Sequence, residues 1–86
     1  MNGVAVLIST RCTGKATQRC YRCTPPLDGH EYVVVSATIT LYGKETYIFA
    51  ANSLGTITDW RELDGSFRGA LDHEHALLNA GYEVAA

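Results

Sequence analysis

The chain has 86 residues, of which 47% are hydrophobic and 19% charged, with a formal net charge of −2. That length suits one domain and is too short for two, and the balance of apolar and charged residues excludes a disordered chain. The net charge removes a general attraction to nucleic acid. It is unevenly spread: Arg11, Lys15, Arg19, Arg22 and Lys44 outnumber the acids up to residue 46, and Asp59, Glu62, Asp64, Asp72, Glu74 and Glu83 dominate the remainder.

In chain order, Val4–Ser9 is a short β-favouring run, and Thr10–Lys15 makes a turn around Gly14. Thr17–Cys23 is the returning strand, which Pro25-Pro26 is expected to end because proline cannot donate to a ladder. Asp28-Gly29 is a turn signal. Glu31–Leu41 is the strongest strand: apolar on both parities through Tyr32–Val35, it is expected at the centre of the sheet, covered on both faces. Tyr42-Gly43-Lys44 turns the chain into Glu45–Ala51, with Tyr47, Phe49 and Ala51 on one face and Ile48 and Ala50 on the other. Asn52–Gly55 is a hairpin loop leading to Thr56–Trp60, and Trp60 is expected in the core or the seam between sheet and helix.

Leu63–Gly69 is a glycine-bounded loop, and Asp72 is a suitable N-cap for a short helix through Ala80. His73, Ala76, Leu77 and Ala80 fall on one helix face, Gly81 stops the helix, and Tyr82–Val84 adds a last short strand. The predicted fold is therefore a single α+β domain over 1–86: an antiparallel meander of four or five strands with one short C-terminal helix packed on it. So small a domain buries a modest fraction of its surface, and a homodimer, a metal or a partner would supply further stability.

Three groups of residues have the composition of a site. Cys12, Cys20 and Cys23 lie in the basic stretch 11–23, and Cys20 and Cys23 have the C-x2-C spacing of a zinc knuckle, with His30 as a conceivable fourth ligand. Against zinc, Cys20 and Cys23 differ by an odd number, so a regular strand points them to opposite faces. The basic residues there, with Tyr21, also suit nucleic acid, although charges on a hairpin equally protect an edge strand. Ser66 and Arg68, ahead of the helix, are candidates to hold an anionic ligand such as a nucleotide, although Asp64 and Asp72 place negative charge beside them. The acids Asp59, Glu62, Asp64, Asp72 and Glu74 form the expected protein-binding face. His73 and His75, two apart, point away from each other on a helix and make no chelating pair. No nucleophile with an identified base appears, so a non-enzymatic binding role without a cofactor is the leading expectation.

The segment Tyr32–Val84 resembles small accessory proteins of tailed bacteriophages that infect actinobacteria. The pieces D-W-x-E-L-x-G-S, at Asp59–Ser66, and D-H-E-x-A-L-x-x-A-G-Y, at Asp72–Tyr82, carry most of the resemblance. It implies expression in the cytoplasm of a bacterial host and action on a host protein during takeover or counter-defence. It carries over no catalytic residue. Neither a secretory signal nor a membrane span is evident.

Overall fold

The computed structural model describes residues 3–14, 16–41 and 43–85. Lys15 of the basic stretch and Tyr42 of the predicted turn lie outside the described residues. The described elements are β1 (Gly3–Thr13), β2 (Ala16–Leu27), β3 (His30–Thr40), β4 (Gly43–Ala51), β5 (Ile57–Asp59), β6 (Phe67–Arg68), α1 (His73–Asn79) and β7 (Tyr82–Ala85).

The first four strands form long antiparallel hairpins. Asp28 and Gly29 both take positive φ, 50° and 84°, as the two central residues of a type I′ turn require. β3 sits inside the sheet, as its sequence predicts, with Val33, Val34, Val35, Ser36 and Ala37 all buried. The strands run β5-β4-β3-β2-β1-β7, with β6 also on β4.

The expected antiparallel meander of four or five strands is corrected in two respects. There are seven strands among the described residues, and the sheet is mixed, because β7 joins β1 in parallel from Gly3↔Tyr82 to Val6↔Ala85. The prolines do not end β2 either. β2 runs to Leu27, but its pairing with β3 is interrupted between Arg22 and Leu27, so neither proline has to donate to that ladder.

The two edges are finished differently. The outer side of β4 is occupied along its length: β5 pairs at Ala50 and Ala51, and β6 pairs at Glu45 and Thr46. Between them Leu63 N donates to Ile48 O (2.8 Å), while the Ser66 hydroxyl accepts from Ile48 N (2.9 Å) and donates to Leu63 O (2.8 Å). At the opposite edge β7 covers β1 only as far as Val6.

Helix α1 lies on one face of the sheet. Asp72 is its N-cap, accepting from His75 N at 3.0 Å, and Gly81 follows the C-cap Ala80 with φ 92°. Ala76 and Leu77 pack into a core of Ala5, Tyr21, Cys23, Val33, Val35 and Ile48. Two buried polar groups anchor the segment leading into the helix. Thr46 Oγ1 donates to Ala70 O (2.8 Å) and accepts from Asp72 N (3.2 Å). His73 Nε2 bonds Thr17 O at 2.8 Å. Gly65 makes the close approach that seats the preceding loop. Its φ is +104°, and a Cβ there would meet the carbonyl oxygen of Ala76, with Ala80 Cβ and Ile48 Cδ1 each at 3.0 Å.

Candidate functional site

Strand register sorts the side chains into two faces, since directly paired residues point the same way. The helix side carries the rows Leu7–Tyr21–Val33–Ala50, Thr10–Arg19–Val35–Ile48 and Cys12–Thr17–Ala37–Thr46. The other side carries Val6–Arg22–Tyr32–Ala51–Ile57, then Ser9–Cys20–Val34–Phe49, then Arg11–Gln18–Ser36–Tyr47. The bulge in β1 between Leu7 and Ser9 keeps these rows in phase.

Among the described residues no helix covers the second face. The loop between β4 and β5 folds across it instead. A Cβ on Gly55 would stand 3.4 Å from Ser9 Oγ and 3.5 Å from Cys20 Cβ, so Cys20 is buried beneath backbone; Val34, its cross-strand neighbour, is buried too. The loop is braced by Asn52, whose Oδ1 accepts from Leu54 N (2.9 Å) and Thr56 N (3.1 Å). Past the loop, Trp60 packs at a tilt on Phe49 with ring centroids 5.2 Å apart, and Phe49 contacts Tyr47 at 6.0 Å. Trp60 nevertheless remains 68% exposed. The expectation that it fills the core or the sheet–helix seam is therefore corrected: it lies on the side of the sheet away from α1, because Phe49, its packing partner, is of that parity.

Around this aromatic row lie a shallow cleft of about 200 Å³, lined by Arg11, Gln18, Gly55, Thr56, Ile57 and Trp60, and the exposed apolar side chains Val4 and Val6. Arg68 Nε donates to Glu45 Oε2 at 3.1 Å, and its guanidinium lies 5.7 Å from the Tyr47 ring centroid. Arg22 pairs with Glu31 at 3.3 Å. Arg11 forms no ion pair among the described residues.

The helix side has its own opening. Beyond the start of α1 the sheet continues uncovered, leaving a cleft of about 520 Å³ between Leu71 and His73 above and Cys12, Thr17, Arg19, Ala37 and Ile39 below. Arg19 Nε is buried and has no hydrogen-bond partner among the described residues, while the Arg19 side chain interacts with the Tyr21 hydroxyl. Burial holds the His73 pKa below its ordinary value, with nearby Arg19 acting in the same direction against the Thr17 bond and Asp72. The neutral ring must carry its proton on Nε2, since its partner there is a carbonyl oxygen and only accepts.

The predicted site residues fall as follows. Cys20 and Cys23 lie on opposite faces of β2, as odd spacing requires: Cys20 under the β4–β5 loop, Cys23 in the helix-side core. Burial raises both thiol pKa values, that of Cys23 to about 11, so at neutral pH both are protonated. Cys12 is exposed at the far end of β1, its Sγ 4.0 Å from Thr17 Oγ1. Among the described residues no group of three or more His, Cys, Asp or Glu is placed to hold a metal ion. Ser66 is committed at both donor and acceptor to the loop and β4, and Arg68 pairs across to Glu45; register places Arg68 with Glu45 and Tyr47 on the face away from α1.

Of the five acids, Asp72 caps the helix, Asp59 Oδ1 accepts from Arg61 N at 2.9 Å, and Glu62, Asp64 and Glu74 are exposed. His73 is buried and His75 exposed, as their spacing predicts; His75 contacts Phe67 at a tilt, with ring centroids 4.9 Å apart.

Two residues stand out that sequence reasoning did not single out. Arg19 shares its parity with Tyr21 and Cys23, which was signal enough to place a cation on the core side of β2. The protective role expected for the basic hairpin charges does not fit it, because β2 lies between β1 and β3. Arg11 gains its setting only from the fold of a loop more than forty residues away, which no local pattern shows. Comparison with known proteins found no matching family model, no matching curated protein and no matching solved structure.

Proposed function

We propose that this domain is a non-enzymatic interaction module that docks a partner protein on the face of the sheet away from α1. One observation carries the reading: the chain's single tryptophan is 68% exposed and braced on Phe49, on a face whose rim adds Val4, Val6 and Ile57. Trp, Tyr and Arg dominate the energetics of protein interfaces because they combine large apolar area with a polar handle. Here Trp60, Tyr47 and Arg11 occupy one surface, and Trp60 is held in place before any partner arrives, which lowers the ordering cost of binding. Arg11, which forms no ion pair among the described residues, favours a partner presenting a carboxylate beside an apolar side chain. On the resemblance to phage accessory proteins, the partner proposed is a protein of the bacterial host.

The acidic residues Asp59, Glu62, Asp64, Asp72 and Glu74 are the competing surface. The test is affinity capture from an actinobacterial lysate with matched variants, read by quantitative mass spectrometry. Trp60→Ala and Arg11→Glu are expected to lose the wild-type-enriched partner, whereas the double reversal Glu62→Lys/Asp64→Lys retains it. Loss with the acidic reversal and retention with Trp60→Ala would transfer the docking site to the acidic surface.

A further inference from the structure

We propose that the helix-side cleft at Arg19 is a binding site for a small organic carboxylate with a short apolar chain. It lies across the sheet from the Trp60 surface, and neither assignment depends on the other.

Arg19 sits in a cross-strand row with Thr10, Val35 and Ile48, and the last two are fully buried. A cation in such a setting is ordinarily paired with a carboxylate, because removing it from water is costly. Arg19 has no such partner among the described residues, and its Nε–H is buried without an acceptor. The nearby carboxylate of Asp72 is engaged with the backbone of α1. His73 does not serve the guanidinium either, since its Nε2–H is given to Thr17 O. The Tyr21 hydroxyl interacts with the guanidinium but is neutral, so no described group neutralises the charge, and the cleft that Arg19 lines, about 520 Å³, has the size of a small-ligand site.

The lining selects the class of ligand. A single guanidinium presents a planar fork that matches a carboxylate with two parallel N–H···O bonds. Arg19 is the one cationic group among the described lining residues, a single charge that matches a monocarboxylate. Ala37, Ile39 and Leu71 form apolar walls suited to an alkyl chain, and Thr17 and Cys12 supply a weakly polar rim.

The test is a titration of the ¹⁵N-labelled protein with sodium hexanoate, following the Arg19 Nε–H and the Leu71 and His73 backbone amides by NMR. Saturable shifts confined to this cleft are expected, with acetate binding roughly tenfold or more weakly for want of the alkyl chain. Inorganic phosphate is expected to give no saturation. Arg19→Gln is expected to weaken hexanoate binding roughly tenfold or more, the loss of a charge-assisted contact. Ile39→Asp, at a half-exposed position that leaves Arg19 in place, is expected to abolish binding by repulsion, and it decides the matter if Arg19→Gln does not fold. Hexanoate that shifts none of these signals saturably, equal affinity in the wild type and either variant, or phosphate binding as tightly as hexanoate would each overturn the assignment.

Discussion

The two faces of this sheet are closed by different means. On one side a seven-residue helix supplies Ala76 and Leu77 to a continuous core, and buried hydrogen bonds from Thr46 and His73 fix the chain around it. On the other side backbone at Gly55 covers Cys20, and a tilted aromatic contact between Trp60 and Phe49 completes the cover. A helix buries side chains on both partners, whereas a loop excludes water without contributing a core of its own. The first face should therefore hold most of the stability, and the second should be free to carry recognition.

The largest expected effect lies on the helix side. Leu77→Ala removes a fully buried side chain and should cost about 2–5 kcal/mol in chemical denaturation. Gly65→Ala should cost a comparable amount, because positive φ and the Ala76 carbonyl both oppose a side chain there. If either substitution proved neutral, the helix would not be seated as described.

A smaller effect, of opposite sign, is expected at Arg19. Replacing a partly buried cation that has no carboxylate partner among the described residues by Met keeps the apolar stem and removes the desolvation cost, so Arg19→Met should raise stability by about 1 kcal/mol. Destabilisation by that amount or more would mean that the guanidinium is satisfied within the fold.

His73 adds a pH dependence. Burial, its main cause, lowers the folded-state pKa below the ordinary 6.5, so the unfolded chain binds a proton more readily than the folded one. Stability from this group is complete above about pH 6.5, falls as the pH drops through that value, and levels off below the folded pKa. Arg19 and Asp72, the charged groups bearing on His73, act in opposite directions on it. In His73→Gln, which keeps a donor for Thr17 O, that component of the acid slope in urea titrations should vanish.

The smallest expected effect on stability is at the second face. Trp60→Ala should cost under about 1 kcal/mol, since what it removes is a largely exposed ring and one aromatic contact. The thiols provide a parallel contrast: in the native protein Cys12 should react with Ellman's reagent promptly, and Cys20 and Cys23 only as fast as the chain opens.

Much of the helix side could be read in advance. The run of β-branched residues in β3 marked it as covered on both faces, the odd spacing of Cys20 and Cys23 split them, and Asp72 and Gly81 bounded the helix. These are local signals, set by parity and capping. The parallel seat of β7 beside β1 was not legible, because Tyr82–Ala85 finds its partner nearly eighty residues away and four residues carry no directional preference. Trp60 was misplaced for a related reason. Its own segment suits a core as well as a surface, and only the fold of the preceding loop onto Ser9 and Cys20 fixes which side of β4 it takes.

The central claim, that recognition belongs to the face away from α1, is tested most directly by site-specific photo-crosslinking. Benzoylphenylalanine would be placed in turn at Thr56, exposed beside Trp60, and at Leu78, an exposed position on the helix. The same partner protein crosslinked from position 56 and not from position 78 is the predicted result. Efficient crosslinking from position 78, with none from position 56, would contradict it and move the docking surface to the helix side.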